Sequence, residues 1–159
     1  MKDGSTLRIG CLIALMAAAA AAMWSAVANL PPYRGAGHLN WLTMAMLSAG
    51  AELFVLHIQV RREAQAVSLS EVPLVVGLFL ATPLTFGVGR LIGVLLVCVV
   101  RRRQPPLKLI FNAVLVALES ALACGVFHLV LGLVGDGTPA RWAAGFAASA
   151  AVGAGSALT

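Results

Sequence analysis

Apolar residues in this chain come in long runs rather than alternations. The runs are Ile9 to Leu30, Leu39 to Val60, Leu69 to Val100, Leu107 to Val134 and Trp142 to Leu158. A membrane-crossing helix needs about 20 predominantly apolar residues. Period-two patterning, the mark of half-buried strands, is absent. The pattern therefore predicts an all-α fold: a polytopic transmembrane helical bundle forming one domain over residues 1–159, with spans near 9–30, 39–60, 71–81 with 84–100, 107–134 and 142–159.

The third run departs from a simple crossing. Arg61 and Arg62 precede it; Arg101, Arg102, Arg103 and Lys108 follow it. Lys and Arg close to membrane segments mark the cytoplasmic side, so these six residues read as topology anchors on a common face. Leu69 to Val100 as one helix would be roughly 48 Å long, against a hydrocarbon layer of about 30 Å. Two full crossings would need about 40 residues at that thickness. A broken, re-entrant hairpin satisfies both constraints: Glu71 to Ala81 enters, the chain turns at Thr82-Pro83, and Leu84 to Val100 returns. Such backbone persists at membrane depth only where protein or water covers it.

Placing the amino terminus in the cytoplasm puts Lys2, Arg8 and the six anchors on one side, which is eight of the eleven basic residues. Arg34 and Arg141 fall outside, and Arg90 falls within the membrane. Trp24, Tyr33, Trp41 and Trp142 then lie near the outer interface, where amphipathic rings prefer to sit. Pro31-Pro32 and Gly135-Asp136-Gly137 read as turns. The alanine run Ala17 to Ala22 is a strong helix former but weakly apolar, which predicts packing against protein rather than lipid all round. Two readings of the first run stay open. It is an uncleaved helix, or, with Ala26-Val27-Ala28 as a cleavage site, a secretory signal. The last run stops without a basic anchor, which points to a fragment of a longer chain.

The composition, 60% hydrophobic and 11% charged with mean hydropathy +0.95, agrees with a membrane protein. The net charge of +5 flanks apolar runs, as orientation signals do, so no nucleic-acid partner is expected. Cys11, Cys98 and Cys124 lie inside apolar spans and read as small apolar residues. No metal-ligand spacing, cofactor motif or catalytic set occurs.

Ionisable residues inside membrane spans cost about 2.5–3.5 kcal/mol each near the centre. Glu52 and His57 lie in the second span, Arg90 in the returning arm, and Glu119 mid-way through the fourth long run. Asn112, seven residues before Glu119, shares its helix face; His128 points elsewhere. Glu52, Arg90, Asn112 and Glu119 are the candidate polar core. Either they form a pocket for a small-molecule ligand, or Arg90 pairs with one or both glutamates to hold the break in place. Ser68 or Ser70 reads as a cap and Glu71 as a partner of the helix dipole. Gly89 with Gly93, and Gly145 with Ser149 and Gly153, are small residues at four-residue spacing. They serve internal packing or a homodimer. The RRRQPPLK run touches anionic headgroups or fixes topology. The bilayer is the remaining expected partner.

The segments HIQVRREAQAVSLSEVPLVVGLFLATPLTFGVGRLIG and RRRQPPLKLIFNAVLVALESALA resemble the amino-terminal membrane region of actinobacterial cyclic-di-GMP signalling proteins. The resemblance covers roughly His57 to Ala123. It implies a sensory or anchoring membrane module in the plasma membrane, followed by cytoplasmic GGDEF and EAL domains. This chain holds neither motif, so it is not expected to be an enzyme; diguanylate cyclase or phosphodiesterase activity would belong to a carboxy-terminal continuation. More distantly, these regions look similar to the substrate-binding membrane components of vitamin uptake systems. Single cysteines replacing Arg61 and Arg103 in a cysteine-free background are expected to react with impermeant reagents from the cytoplasmic side only. Labelling from opposite sides would mean one unbroken crossing between them.

Overall fold

The computed structural model describes residues 3–31, 33, 39–58, 71–135 and 137–157. It is all-helical, with six helices: α1 (Asp3–Val27), α2 (Trp41–Ile58), α3 (Glu71–Leu80), α4 (Pro83–Val100), α5 (Pro106–Val134) and α6 (Thr138–Ala157). Arg61, Arg62, Ser68 and Ser70, and the side chain of His57, lie outside the described residues. Among the described residues three helices, α1 over Arg8–Val27, α4 and α5, are long and apolar enough to cross a membrane. The outer face of α4 carries Leu84, Val88, Ile92, Leu96 and Val99, all well exposed. A water-facing helix would place polar side chains on that stripe.

The break between α3 and α4 follows from local chemistry. A residue preceding proline is pushed out of the α region, and Thr82, before Pro83, adopts φ −69°, ψ 155°. Its Oγ1 accepts a hydrogen bond from the Thr85 amide at 3.2 Å, capping α4. Pro83 then sits at the first helical position, where its missing N–H costs nothing. α5 begins the same way, with Pro105 as cap and Pro106 leading. α4 ends at Arg101, beyond which Arg103 takes a left-handed φ of 42°.

α2 and α4 lie side by side and run in the same direction. A Cβ at Gly89 would come 2.6 Å from Met44 Cβ and 2.8 Å from the Trp41 carbonyl. One at Gly93 would strike the Ala45 carbonyl and come 2.8 Å from Ser48 Cβ. Gly89 and Gly93 are thus used in packing α4 onto α2. The ends of α2 and α4 share a side, because Arg102 bonds Glu52 at 3.0 Å. α3 runs the opposite way alongside this pair: the Leu39 amide, just before α2, donates to the Leu80 carbonyl at the end of α3. At about 1.5 Å per residue, the ten residues of α3 reach about 15 Å, half the depth that α4 spans.

Two apolar clusters sit at the two ends of the bundle. At the break end, Met44, Leu74, Phe86, Phe127, Ala144 and Ala148 are almost fully buried. Tyr33, Phe79 and Phe127 meet edge-to-face there at 5.2–6.0 Å, and Arg141 stacks over Tyr33 at 5.5 Å. At the Arg102 end, Val94, Cys98 and Val116 form a smaller cluster. Cys98 and Cys124 are buried free thiols, whereas Cys11 is exposed.

α1 refines two expectations. Among the described side chains of α1, Met16, Ala20 and Val27 on one stripe are buried, while Ala18, Ala19, Ala21 and Ala22 face outward, so the helix meets protein along one stripe and the rest of the alanine run is a solvent- or lipid-facing surface. Trp24 departs from the expected belt. Its ring packs on Gly87 and its Nε1–H donates to the Ala117 carbonyl at 2.9 Å, because the glycine leaves a slot that an indole fills and α5 offers it an acceptor.

Gly93→Ala is expected to lower stability by about 1–3 kcal/mol, since the new methyl meets backbone rather than a movable side chain. Gly50 in α2 has open space around it, so Gly50→Ala should instead gain about 0.5–1 kcal/mol. Thermal unfolding of both variants in detergent or nanodiscs checks the opposite signs.

Candidate functional site

Because α3 stops half-way, the remainder of its slot is a cavity of about 230 Å³. Its roof is the first turn of α3, with Glu71, Pro73 and Leu74. α2 contributes Ser48 and Glu52, α4 contributes Arg90, Val94 and Cys98, and the following loop contributes Arg102. α5 adds Asn112, Val116 and Glu119; α6 closes the last side with Val152 and Gly153. Glu52, Arg90, Asn112 and Glu119, the four residues singled out in the sequence, all line this one space.

Helical spacing explains the convergence. Ser48 and Glu52 are one turn apart on α2, Arg90, Val94 and Cys98 succeed one another by four on α4, and Asn112 and Glu119 are two turns apart on α5. His128 lies away from the cavity. Its Nδ1 lies 2.9 Å from the Cys124 carbonyl and its Nε2 3.1 Å from the Pro31 carbonyl, and the nitrogen that carries the proton donates to the one it faces.

Two ion pairs cross the cavity. Arg90 Nη2 donates to Glu119 Oε2 at 3.1 Å, joining α4 to α5, with side chains only 7% and 14% exposed. Arg90 Nη1 also reaches Ser120 Oγ at 3.5 Å, and that hydroxyl donates to the Val116 carbonyl at 2.7 Å. Arg102 Nη2 donates to Glu52 Oε2 at 3.0 Å, joining the α4–α5 loop to α2. The sequence offered Arg90 either glutamate; the structure gives it Glu119 and gives Glu52 to Arg102. Arg102, expected only as a topology anchor, is therefore also a cavity residue. Its neighbours Arg101, Arg103 and Lys108 are exposed, as anchors should be. Asn112 donates to Gln104 Oε1 at 2.7 Å, so the loop is held at two points.

Three polar residues escape the sequence: Ser48, which lines the cavity, and Ser120 and Gln104, which bond to residues that line it. Ser48, Ser120 and Gln104 are uncharged and common in helices or loops, and nothing in their local pattern marks them. Glu71 was read as a dipole partner because it opens a helix. Its place on the cavity follows from α3 being short, and that was legible. Among the described residues two buried polar atoms have no hydrogen-bond partner, Ser48 Oγ and Arg102 Nε, and both belong to residues lining this space. Among the described residues no group of His, Cys, Asp and Glu is arranged to hold a metal ion.

Arg90→Leu strands the largely buried Glu119 carboxylate without its partner, which costs about 3–5 kcal/mol. The double variant Arg90→Leu with Glu119→Leu is expected to recover most of that loss. Unfolding temperatures of the two variants in detergent decide it; equal losses would mean that the pair contributes nothing specific. The chain matches no family model, and no characterised protein or solved structure is similar to it.

Proposed function

We propose that this chain is the membrane-embedded sensory and anchoring module of a cyclic-di-GMP signalling protein. In this reading it is a multi-pass plasma-membrane protein with a cytoplasmic amino terminus, and its catalytic GGDEF or EAL part lies beyond Thr159. A small ligand enters the cavity beneath α3, and the bundle passes the change to the cytoplasm. The observation that carries the reading is the cavity itself: ionised side chains from four different segments gathered at the stopping point of a half-length helix. Charges at such depth are expensive, and two salt bridges alone would not require an open space around them.

The route of coupling is also local. Arg102 and Gln104 belong to the loop after α4, and both reach back to cavity residues, Glu52 and Asn112. A ligand that competes for Glu52 or Arg102 changes what holds this loop. A ligand shifts a two-state equilibrium only by its differential affinity for the two states; here that difference is the Arg102–Glu52 bond kept or broken.

A second reading, a solute-binding membrane subunit of an uptake system, is favoured by α3. A half-helix whose amino-terminal turn faces a mid-membrane cavity is a recurring transporter device. The two readings separate on genetic context: an output domain in the same frame supports signalling, and adjacent ATPase and coupling subunits support uptake.

The test extends the reading frame past Thr159 and measures cellular cyclic-di-GMP with the full-length protein and with Arg102→Gln and Glu52→Gln variants. A GGDEF- or EAL-type continuation and a shift of at least threefold in the variants are expected. An unrelated continuation, or variants that signal as the parent does, would sink the signalling reading.

A further inference from the structure

The seam between α2 and α4 has a second opening, away from the cavity. Gly89 and Gly93 hold α4 against α2. One and two turns further along the same face of α4 stand Val97 and Arg101. There a groove of about 380 Å³ lies between the two helices, lined by Ala49 and Leu53 of α2 and by Leu96, Val97, Val100 and Arg101. It shares no residue with the cavity, which takes Ser48 and Glu52 from α2. Ala49 and Leu53 are each one residue on, about 100° round the helix.

We infer that this groove seats an acyl chain of one anionic phospholipid, with the lipid phosphate held by Arg101. The inference is independent of what the cavity takes. Five of the six lining residues are purely hydrocarbon. Val97, 4% exposed, is the floor, and Leu53, Leu96 and Val100 are exposed walls. On a helix apolar enough to cross a membrane, such walls meet lipid tails. The sixth residue is a cation, and it stands where the apolar run stops, as the carboxy-terminal cap of α4. A surface that is hydrocarbon along its length and positive at one end complements an amphiphile with a negative head.

The positive charge at that end is available. Arg102 is taken by Glu52. Among the described residues no carboxylate pairs with Arg101, which is exposed. The backbone amide of Arg101, not its side chain, closes the helix on the Val97 carbonyl at 3.0 Å. A guanidinium presents paired N–H donors that match phosphate oxygens. The RRRQPPLK run reads as headgroup contact or topology signal; the groove ties the first of these to a single residue and adds a surface for the chain.

The experiment uses the full chain, purified in a non-ionic detergent and freed of lipid. Native mass spectrometry follows the lipids bound as dioleoylphosphatidylglycerol or dioleoylphosphatidylcholine is added. The two share chains and phosphate and differ in net charge. Phosphatidylglycerol is expected to bind about fivefold more tightly. Arg101→Gln should remove that preference, and Arg101→Lys should keep most of it. Lys108→Gln makes the same change in net charge outside the groove and should leave the preference intact. Leu96→Trp, at an exposed position, lays an indole over the groove and should weaken binding of both lipids without moving the unfolding temperature. Equal binding of the two lipids, or equal losses in Arg101→Gln and Lys108→Gln, would overturn the assignment of the headgroup to Arg101. Phosphatidylglycerol binding that Leu96→Trp leaves untouched, or that free glycerol 3-phosphate displaces, would overturn the acyl groove. A dimer that Leu96→Trp splits and added lipid does not would give the groove to a second copy of the chain instead.

Discussion

A ten-residue helix set among partners of 18 residues or more leaves nearly half of its slot unfilled, and the rest of this bundle is arranged around that shortfall. At the break end the slot is closed by aromatic rings and by the packing of α6 against α3 through Gly145, where Phe79 lies within 3.2 Å of an added Cβ. At the other end it is closed by charge. Arg90, Glu119, Arg102 and Glu52 span the gap between α4, α5, α2 and the following loop, where apolar side chains would otherwise have had to meet. Burying ion pairs does not by itself stabilise a fold, because desolvation offsets the attraction. What these pairs provide is registry, since each fixes one helix against another at a defined height.

Much of this arrangement can be read in the amino-acid sequence. Thr82-Pro83 and Pro105-Pro106 mark helix starts because proline constrains the residue before it and suits the first helical turn. Basic clusters on both sides of Leu69 to Val100 demand a fold-back, and the lengths of α3 and α4 follow from it. Asn112 and Glu119 share a face by simple helical arithmetic. The partner of Glu52 was not legible: pairing Arg102 with Glu52 requires knowing that α2 and α4 run in the same direction at backbone contact, which depends on Gly89 and Gly93 acting together. Trp24 was misread for a related reason. An indole at the end of an apolar run looks like an interface anchor, and only the absence of a side chain at Gly87 turns it inward.

Arg101, Arg102 and Arg103 illustrate how one short basic run serves two ends. Three consecutive residues cannot all face one way. The left-handed turn at Arg103 and the end of α4 direct Arg102 inward while its neighbours face outward. A residue type chosen for its charge near a membrane surface is thus also available, at 28% side-chain exposure, to a carboxylate half-buried in α2.

The contact of Gly89 and Gly93 with α2 carries a mechanical corollary. Helices that touch through their main chains have no intervening side chains to repack, so α2 and α4 form a single stiff beam. Thr82 on one side and the Arg101–Pro105 segment on the other end α4 with non-helical backbone, and they are joints of that beam.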